Sequence, residues 1–174
     1  MVNKSSLQII TLSKESAHLP AEQKARLLEG FSRFNKEWIT HYFHLEPSDI
    51  RYLSNPEENI LQKGGYIFVA LLDGEPVGCC ALIPHVDTAQ WELAKMAVTP
   101  SAQGHGVGAA LGRAALQKAQ ALGIEALFLE GNTMLEASVR LYKHLGFEAV
   151  ADYTPAYERC NLFMVCKLTN HILS

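Results

Sequence analysis

Large apolar residues recur at helical spacing in the N-terminal part of the chain. Leu27, Phe31, Phe34, Trp38 and Tyr42 stand at i, i+4, i+7, i+11 and i+15, the repeat that lines one face of a helix. Pro20 suits a first helical turn, so an amphipathic helix of roughly 20 residues is predicted. A short β-prone run at 7–12 precedes it as a first strand. Residues 45–63, with Pro47, Pro56 and several acids, read as one or two short helices in a connection. The apolar pattern then changes period. Residues 66–72 and 76–83 are strand-like runs separated by Asp73-Gly74, a strong two-residue hairpin signal. A turn over 84–87 leads into a third strand at 91–98.

Pro100, which has no amide to give a ladder, ends that strand. Gly104, Gly106 and Gly108 follow within five residues and feed a helix over about 106–122. Unpaired amides at such a loop-to-helix junction converge on one point and favour an anion. The same glycines also suit a plain helix-capping turn. No G-K-S/T follows, and Leu111 stands where a dinucleotide fingerprint needs its third glycine. Gly123 stops the helix, and a strand at 124–130 completes a right-handed crossover that makes it parallel to 91–98. Such neighbours leave a crevice at their carboxyl ends. The last helix, 134–145, carries Met134, Ser138, Leu141 and Leu145 on one stripe and ends at Gly146. Strands at 147–153 and 161–168 close the chain. The fold class is α/β: one domain over 1–174, a mixed and mostly antiparallel sheet flanked by helices.

Composition narrows the function. With 48% apolar and 19% charged residues and a net charge of −3, the chain is an ordinary globular one, and nucleic-acid binding is not its main business. No apolar run reaches the roughly 20 residues of a membrane span. The first ten residues lack a signal-peptide pattern, so no membrane association and a cytoplasmic location are expected. Cys79 and Cys80, adjacent on a strand, point to opposite faces. The four cysteines read as reduced thiols, and the seven histidines are dispersed without metal-ligand spacing, so no metal is implied.

Two blocks resemble a known family. Ala97-Val98-Thr99-Pro100 followed by Gln103-Gly104-His105-Gly106-Val107-Gly108 fits the pyrophosphate signature R/Q-x-x-G-x-G/A of the GNAT superfamily of acyl-CoA-dependent N-acyltransferases. Leu141-Tyr142-Lys143-His144-Leu145-Gly146-Phe147 is similar to its LYxxxGF motif. The resemblance implies a sheet splayed open between 91–98 and 124–130, with acetyl-CoA wedged in the gap as cosubstrate. It further implies pairing of the pantetheine arm with the backbone of Met96 and Val98 beside Ala97. The pyrophosphate would sit on the amides of Gly104, His105, Gly106, Val107, Gly108 and Ala109, with Gln103 at the signature's first position. Asn132 and Tyr142 would lie across the wedge. Leu135 stands where many members carry an asparagine, and Asn132 is the candidate substitute.

Acyl transfer to an amine needs a neutral nucleophile and a proton for the departing thiolate. Glu92 is the candidate base: strand alternation sets it on one face with Ala94, Met96 and Val98, among apolar neighbours. A solvent-facing carboxylate or a salt bridge with Lys95 or Arg113 is the competing expectation. Tyr142 is the candidate acid, with packing against cofactor or core as its alternative. Trp38 and Tyr42, near the end of the first long helix, are candidates to wall a substrate pocket, with core packing as the alternative; His41, His44 and His85 read as loop or surface residues, with an approach to the acceptor side as theirs. The expected activity is acetyl transfer to a primary amine of a small molecule or peptide, against an alternative in which the same fold is a silent acyl-CoA sensor. The acceptor, and whether the chain forms a homodimer, stay open.

Overall fold

The computed structural model describes residues 6–168; residues 1–5, on which the leader expectation partly rests, lie outside them. Seven strands form one sheet in the order β1-β2-β3-β4-β5-β7-β6. They are β1 (Leu7–Leu12), β2 (Tyr66–Leu72), β3 (Glu75–His85), β4 (Gln90–Val98), β5 (Ala126–Gly131), β6 (Glu148–Ala149) and β7 (Leu162–Lys167). All neighbours pair antiparallel except β4 and β5, which are parallel as the crossover requires. Helices α1 (Ala21–Tyr42) and α2 (Pro47–Ser54) cover one face, and α3 (Val107–Ala121) and α4 (Glu136–His144) the other. A π-helical turn, Glu57–Leu61, fills the connection after α2. No helix among the described residues is long and apolar enough to cross a membrane.

The sheet separates two apolar layers because strand side chains alternate. Leu27, Phe31 and Phe34 of α1 pack with Ile67, Val69 and Cys79, whereas Leu111, Ala115 and Leu116 of α3 pack with Phe68 and Cys80. The adjacent cysteines therefore do face opposite ways. Along the α1 stripe burial falls towards the C-terminus: Phe31 is buried, Trp38 half-buried, and Tyr42 46% exposed. Helices α3 and α4 touch at Gly112, where a Cβ would stand 2.3 Å from Leu145 Cδ1.

Element ends have local causes. In both α3 and α4 a left-handed glycine follows the last turn, Gly123 at φ 72° and Gly146 at φ 94°. Ile124 N then donates to Ala119 O, and Phe147 N to Tyr142 O, each at 3.0 Å. This is the double-bonded Schellman arrangement, and it delays β5 to Ala126 although the apolar run begins at Ile124. Helix α4 starts two residues later than its apolar stripe suggests, because Asn132 Oδ1 accepts the amide of Met134 at 2.9 Å and holds a turn there. Strand β6 is far shorter than the 147–153 expected: it pairs with β7 only at Glu148 and Ala149, and the chain beyond turns at Asp152, φ 61°.

The gap at the centre is visible in the pairing. Strands β4 and β5 are joined only at Trp91–Leu127 and Glu92–Phe128; from Leu93 onward β4 has no β5 partner. A bulge lies in the same stretch. Lys95 has φ 55°, and the β3–β4 register shifts between Cys79/Ala97 and Ala81/Ala94, so two β4 residues oppose Cys80. Alternation is reset there. Glu92 and Ala94 share the α1 face with Ala97, whereas Met96 and Val98 pack with the α3 layer, correcting the expectation that Glu92, Ala94, Met96 and Val98 form one row.

Candidate active site

Where β4 and β5 part, a groove of about 510 Å³ runs between β4, the glycine loop and α4. Met96, Ala97, Val98, Gln103, Gly104, Gly106, Val107, Gly108 and Ala109 all line it, with Tyr142 on the opposite wall and Trp38 and Tyr42 on the α1 side. Among the described residues no backbone hydrogen bond of normal geometry takes the amides from Gly104 to Ala109; the first amide of α3 to find a carbonyl is Ala110, 3.0 Å from Gly106 O. Gly106, at φ 76°, leaves open space where a Cβ would stand. A row of free amides at a helix N-terminus beside open space is a site for an anion. Gly108 serves packing as well, since a Cβ there would meet Leu141 at 3.0 Å. The His105 ring is exposed, with Nδ1 3.0 Å from Gln103 O. Gln103 turns its amide to Val98 O at 3.1 Å.

The groove adjoins a smaller cavity of about 80 Å³, with Trp38, Met96 and Tyr142 common to both. Glu92 lies on its wall and is 5% exposed, so it is neither a solvent-facing carboxylate nor the partner of Lys95 or Arg113. Its partner is His85, whose Nε2 lies 2.7 Å from Oε2. The hydrogen bond to Glu92 raises the His85 pKa above its ordinary value, outweighing the opposite effect of burial. Glu130 lines the same cavity, and its carboxyl is pushed up first by burial and then by the charge of Glu92, despite the hydrogen bond it accepts from Ala156 N.

Tyr142 is partly buried, and its hydroxyl is pushed up to about 12, chiefly by burial. It stays a neutral donor across physiological pH. Asn132 borders the small cavity and not the groove. Both ends of its amide are engaged, Nδ2 with Arg159 O at 2.7 Å and Oδ1 with Met134 N. Trp38 reaches both spaces, whereas Tyr42 borders the groove alone of the two; the two rings lie 5.5 Å apart, tilted by 56°.

A cluster of charges frames the small cavity. Asp49 of α2, fully buried, accepts Lys95 Nζ at 2.6 Å and both terminal nitrogens of Arg159 at 2.7 and 2.9 Å. Arg159 also reaches Glu46 at 3.1 Å, and Lys95 the Tyr157 hydroxyl at 3.1 Å. Helix start, β4 bulge and the loop before β7 are thereby tied together. The sequence reading omitted Asp49, Lys95, Tyr157, Arg159 and Glu130 as site residues. A local trace existed for Asp49 alone: Glu46-Pro47-Ser48-Asp49 is a capping box with proline at the helix start. His85 was judged a loop residue, yet pairing β3 with β4 puts it diagonal to Glu92. Among the described residues no three His, Cys, Asp or Glu gather as a metal site.

Known proteins resemble this chain in sequence or in fold. The acetyltransferase YjgM of Escherichia coli (strain K12), described as an uncharacterized N-acetyltransferase, is 33% identical over 94 residues, covering 53% of this chain and 56% of that protein. Human N-acetylaspartate synthetase is 33% identical over 105 residues, 60% of this chain and 33% of that protein. The chain thus spans little more than half of the first relative and a third of the second. An acetyltransferase of the GNAT family from Staphylococcus aureus Mu50 superposes with a TM-score of 0.76 at 20% identity, over 94% of this chain and 99% of that one. The yncA protein of Salmonella typhimurium, solved with its cofactor acetyl-CoA, gives 0.70 at 18% identity and 95% of both chains. A model of the acetyltransferase (GNAT) family matches residues 28–147, a span holding the free amides, Glu92 and Tyr142, and by that match the chain belongs to the acetyltransferase (GNAT) family.

Proposed function

We propose that the protein is an acetyl-CoA-dependent N-acetyltransferase that transfers acetyl to a primary amine of a small molecule or peptide by direct attack. The observation that carries this is the adjacency of the two spaces: a groove walled by unpaired amides lies against a cavity with a buried carboxylate, and the two share Trp38, Met96 and Tyr142 as walls. The amides from Gly104 to Ala109 fit the pyrophosphate of coenzyme A, and the edge of β4 from Met96 to Val98, which has no β5 partner and whose Val98 carbonyl is held by the Gln103 side chain, fits its amide-bearing arm. The thioester supplies the activated acyl group. Glu92 takes the proton of the acceptor ammonium and the neutral amine attacks the thioester carbonyl; as the C–S bond breaks the Tyr142 hydroxyl protonates the departing sulfur, and the proton that the new amide nitrogen sheds restores the hydroxyl. Trp38 walls the acceptor side and Tyr42 the junction with the groove. The acetyl-CoA in the Salmonella neighbour and the names of the synthetase relatives support the donor and the amine acceptor.

The test is thiol release from acetyl-CoA with a panel of amines: L-aspartate, spermidine, tyramine and a short peptide with a free N-terminus. Amine-dependent release is expected. A protein that acetyl-CoA protects against melting, yet that releases no thiol with any amine, is the sensor instead.

Two substitutions probe the assigned roles. Tyr142→Phe is expected to lower kcat by roughly 10²-fold, within the range of positioned acid catalysis, with acetyl-CoA affinity nearly intact. Weakened cofactor binding at an unchanged kcat would make the tyrosine a packing residue. Gly106→Val should weaken acetyl-CoA binding at least tenfold, about 1.4 kcal/mol, because its side chain enters the open space beside the amides. A left-handed position also costs a side chain ~1–2 kcal/mol of folding stability, so calorimetry is done on variant shown by circular dichroism to be folded. Unaltered affinity would remove this loop from the cofactor site.

A further inference from the structure

We propose that His85 carries the acceptor's proton from Glu92 to solvent. The inference rests on Glu92 acting as base and goes one step beyond it. A base that gains a proton in each turnover must lose it before the next. Glu92 is poorly placed to do so alone, since its side chain is 7% exposed, whereas that of His85 is 35% exposed. The two meet at 2.7 Å through Nε2 and Oε2.

The backbone sets this contact. In the antiparallel pairing of β3 and β4, Ile83 lies opposite Glu92 and His85 opposite Gln90, so His85 and Glu92 are diagonal neighbours on one face. The Phe128 ring of β5, 5.4 Å from the imidazole, closes the side of the pair. The charged groups facing the imidazole are Glu92 of β4 and Glu130 of β5, which favour its protonated form, and Arg51 of α2, which opposes it. These charges let His85 hold a proton beside an ionised Glu92 and surrender it when Glu92 is neutralised.

Protons balance over the cycle. At rest the pair holds one proton. The ammonium gives Glu92 a second; the imidazolium, having lost the charge that stabilised it, releases one to water. The pair returns to its resting state with one proton taken in and one given out.

The test uses His85→Gln and His85→Ala in the thiol-release assay with the panel amine that gives the highest rate. Both variants are expected to lose at least tenfold in kcat with KM for the amine nearly unchanged. Added imidazole, corrected by an acceptor-free control, is expected to restore His85→Ala. Wild-type rates in both variants overturn the relay, as does a loss that appears in KM and does not respond to imidazole. Glu92→Gln is assayed beside them: if it loses activity while the histidine variants do not, only the relay falls, whereas a fully active Glu92→Gln removes the base itself. A readout without acceptor is the nuclear magnetic resonance titration of the His85 ring. Its midpoint should lie above the ordinary histidine value and drop in Glu92→Gln; an unchanged midpoint overturns the coupling.

Discussion

Glutamine in place of Glu92 is expected to lower amine-dependent thiol release by roughly 10²- to 10⁴-fold near neutral pH, the range of positioned base catalysis. The substitution keeps the side-chain volume in a cavity of about 80 Å³ and leaves an oxygen that can accept from His85, so shape and packing are conserved while the proton acceptor is lost. The loss should shrink as pH rises, because solution then supplies more of the amine already neutral. That slope separates a missing base from a disturbed pocket, which would lower the rate equally at every pH. Steady-state rates from pH 6 to 9, with acetyl-CoA affinity measured in parallel, check it. A Glu92→Gln protein as active as wild type throughout would assign the proton to ordered water or another residue.

What could be read from the chain was what local spacing encodes. The stripe from Leu27 to Phe34, the Asp73-Gly74 hairpin, the two glycine-terminated helices and the free amides after Pro100 each depend on residues a few positions apart. Each is present where spacing places it, save that α4 begins at Glu136 and not at Met134. Glu92 was singled out, but its row was misassigned, because a one-residue bulge at Lys95 inverts every later side chain on β4 and leaves no apolar signature. The charge cluster was invisible for a different reason. Asp49 meets Lys95 across 46 residues and Arg159 across 110, and nothing in the local pattern selects those partners. His85 is the intermediate case. Seven residues from Glu92, it was within reach of hairpin arithmetic, yet its position at a strand end made it look like a loop residue. Strand β6 is cut to Glu148 and Ala149, a length that the apolar pattern of 147–153 does not report.

The largest effect on stability is expected at Asp49. Asparagine there keeps the volume but removes the charge that two cations share, leaving the Lys95 side chain, 4% exposed, without its carboxylate and the Arg159 side chain, 12% exposed, with Glu46 alone. Breaking a buried ionic group in this way costs ~3–5 kcal/mol, which for a chain of this size corresponds to a melting point lower by on the order of 10 °C. Acid should erase the difference. Burial alone would raise the Asp49 carboxyl, but the Arg159 hydrogen bonds and the Lys95 charge outweigh it and hold the group below its ordinary value of 3.8. A carboxyl lowered in the folded state stabilises fully above its unfolded pKa, and that contribution disappears as pH falls through the folded value. Wild type should therefore begin to lose its advantage as pH falls below 3.8 and lose it fully only beneath the lowered folded value, where its own Asp49 becomes neutral and the two melting curves converge. Scanning calorimetry from pH 3 to 8 on both proteins measures this. Equal stability at pH 7 would mean that solvent satisfies the two cations without Asp49. A gap that persists undiminished into acid would mean that the loss arises from packing or helix capping and not from charge.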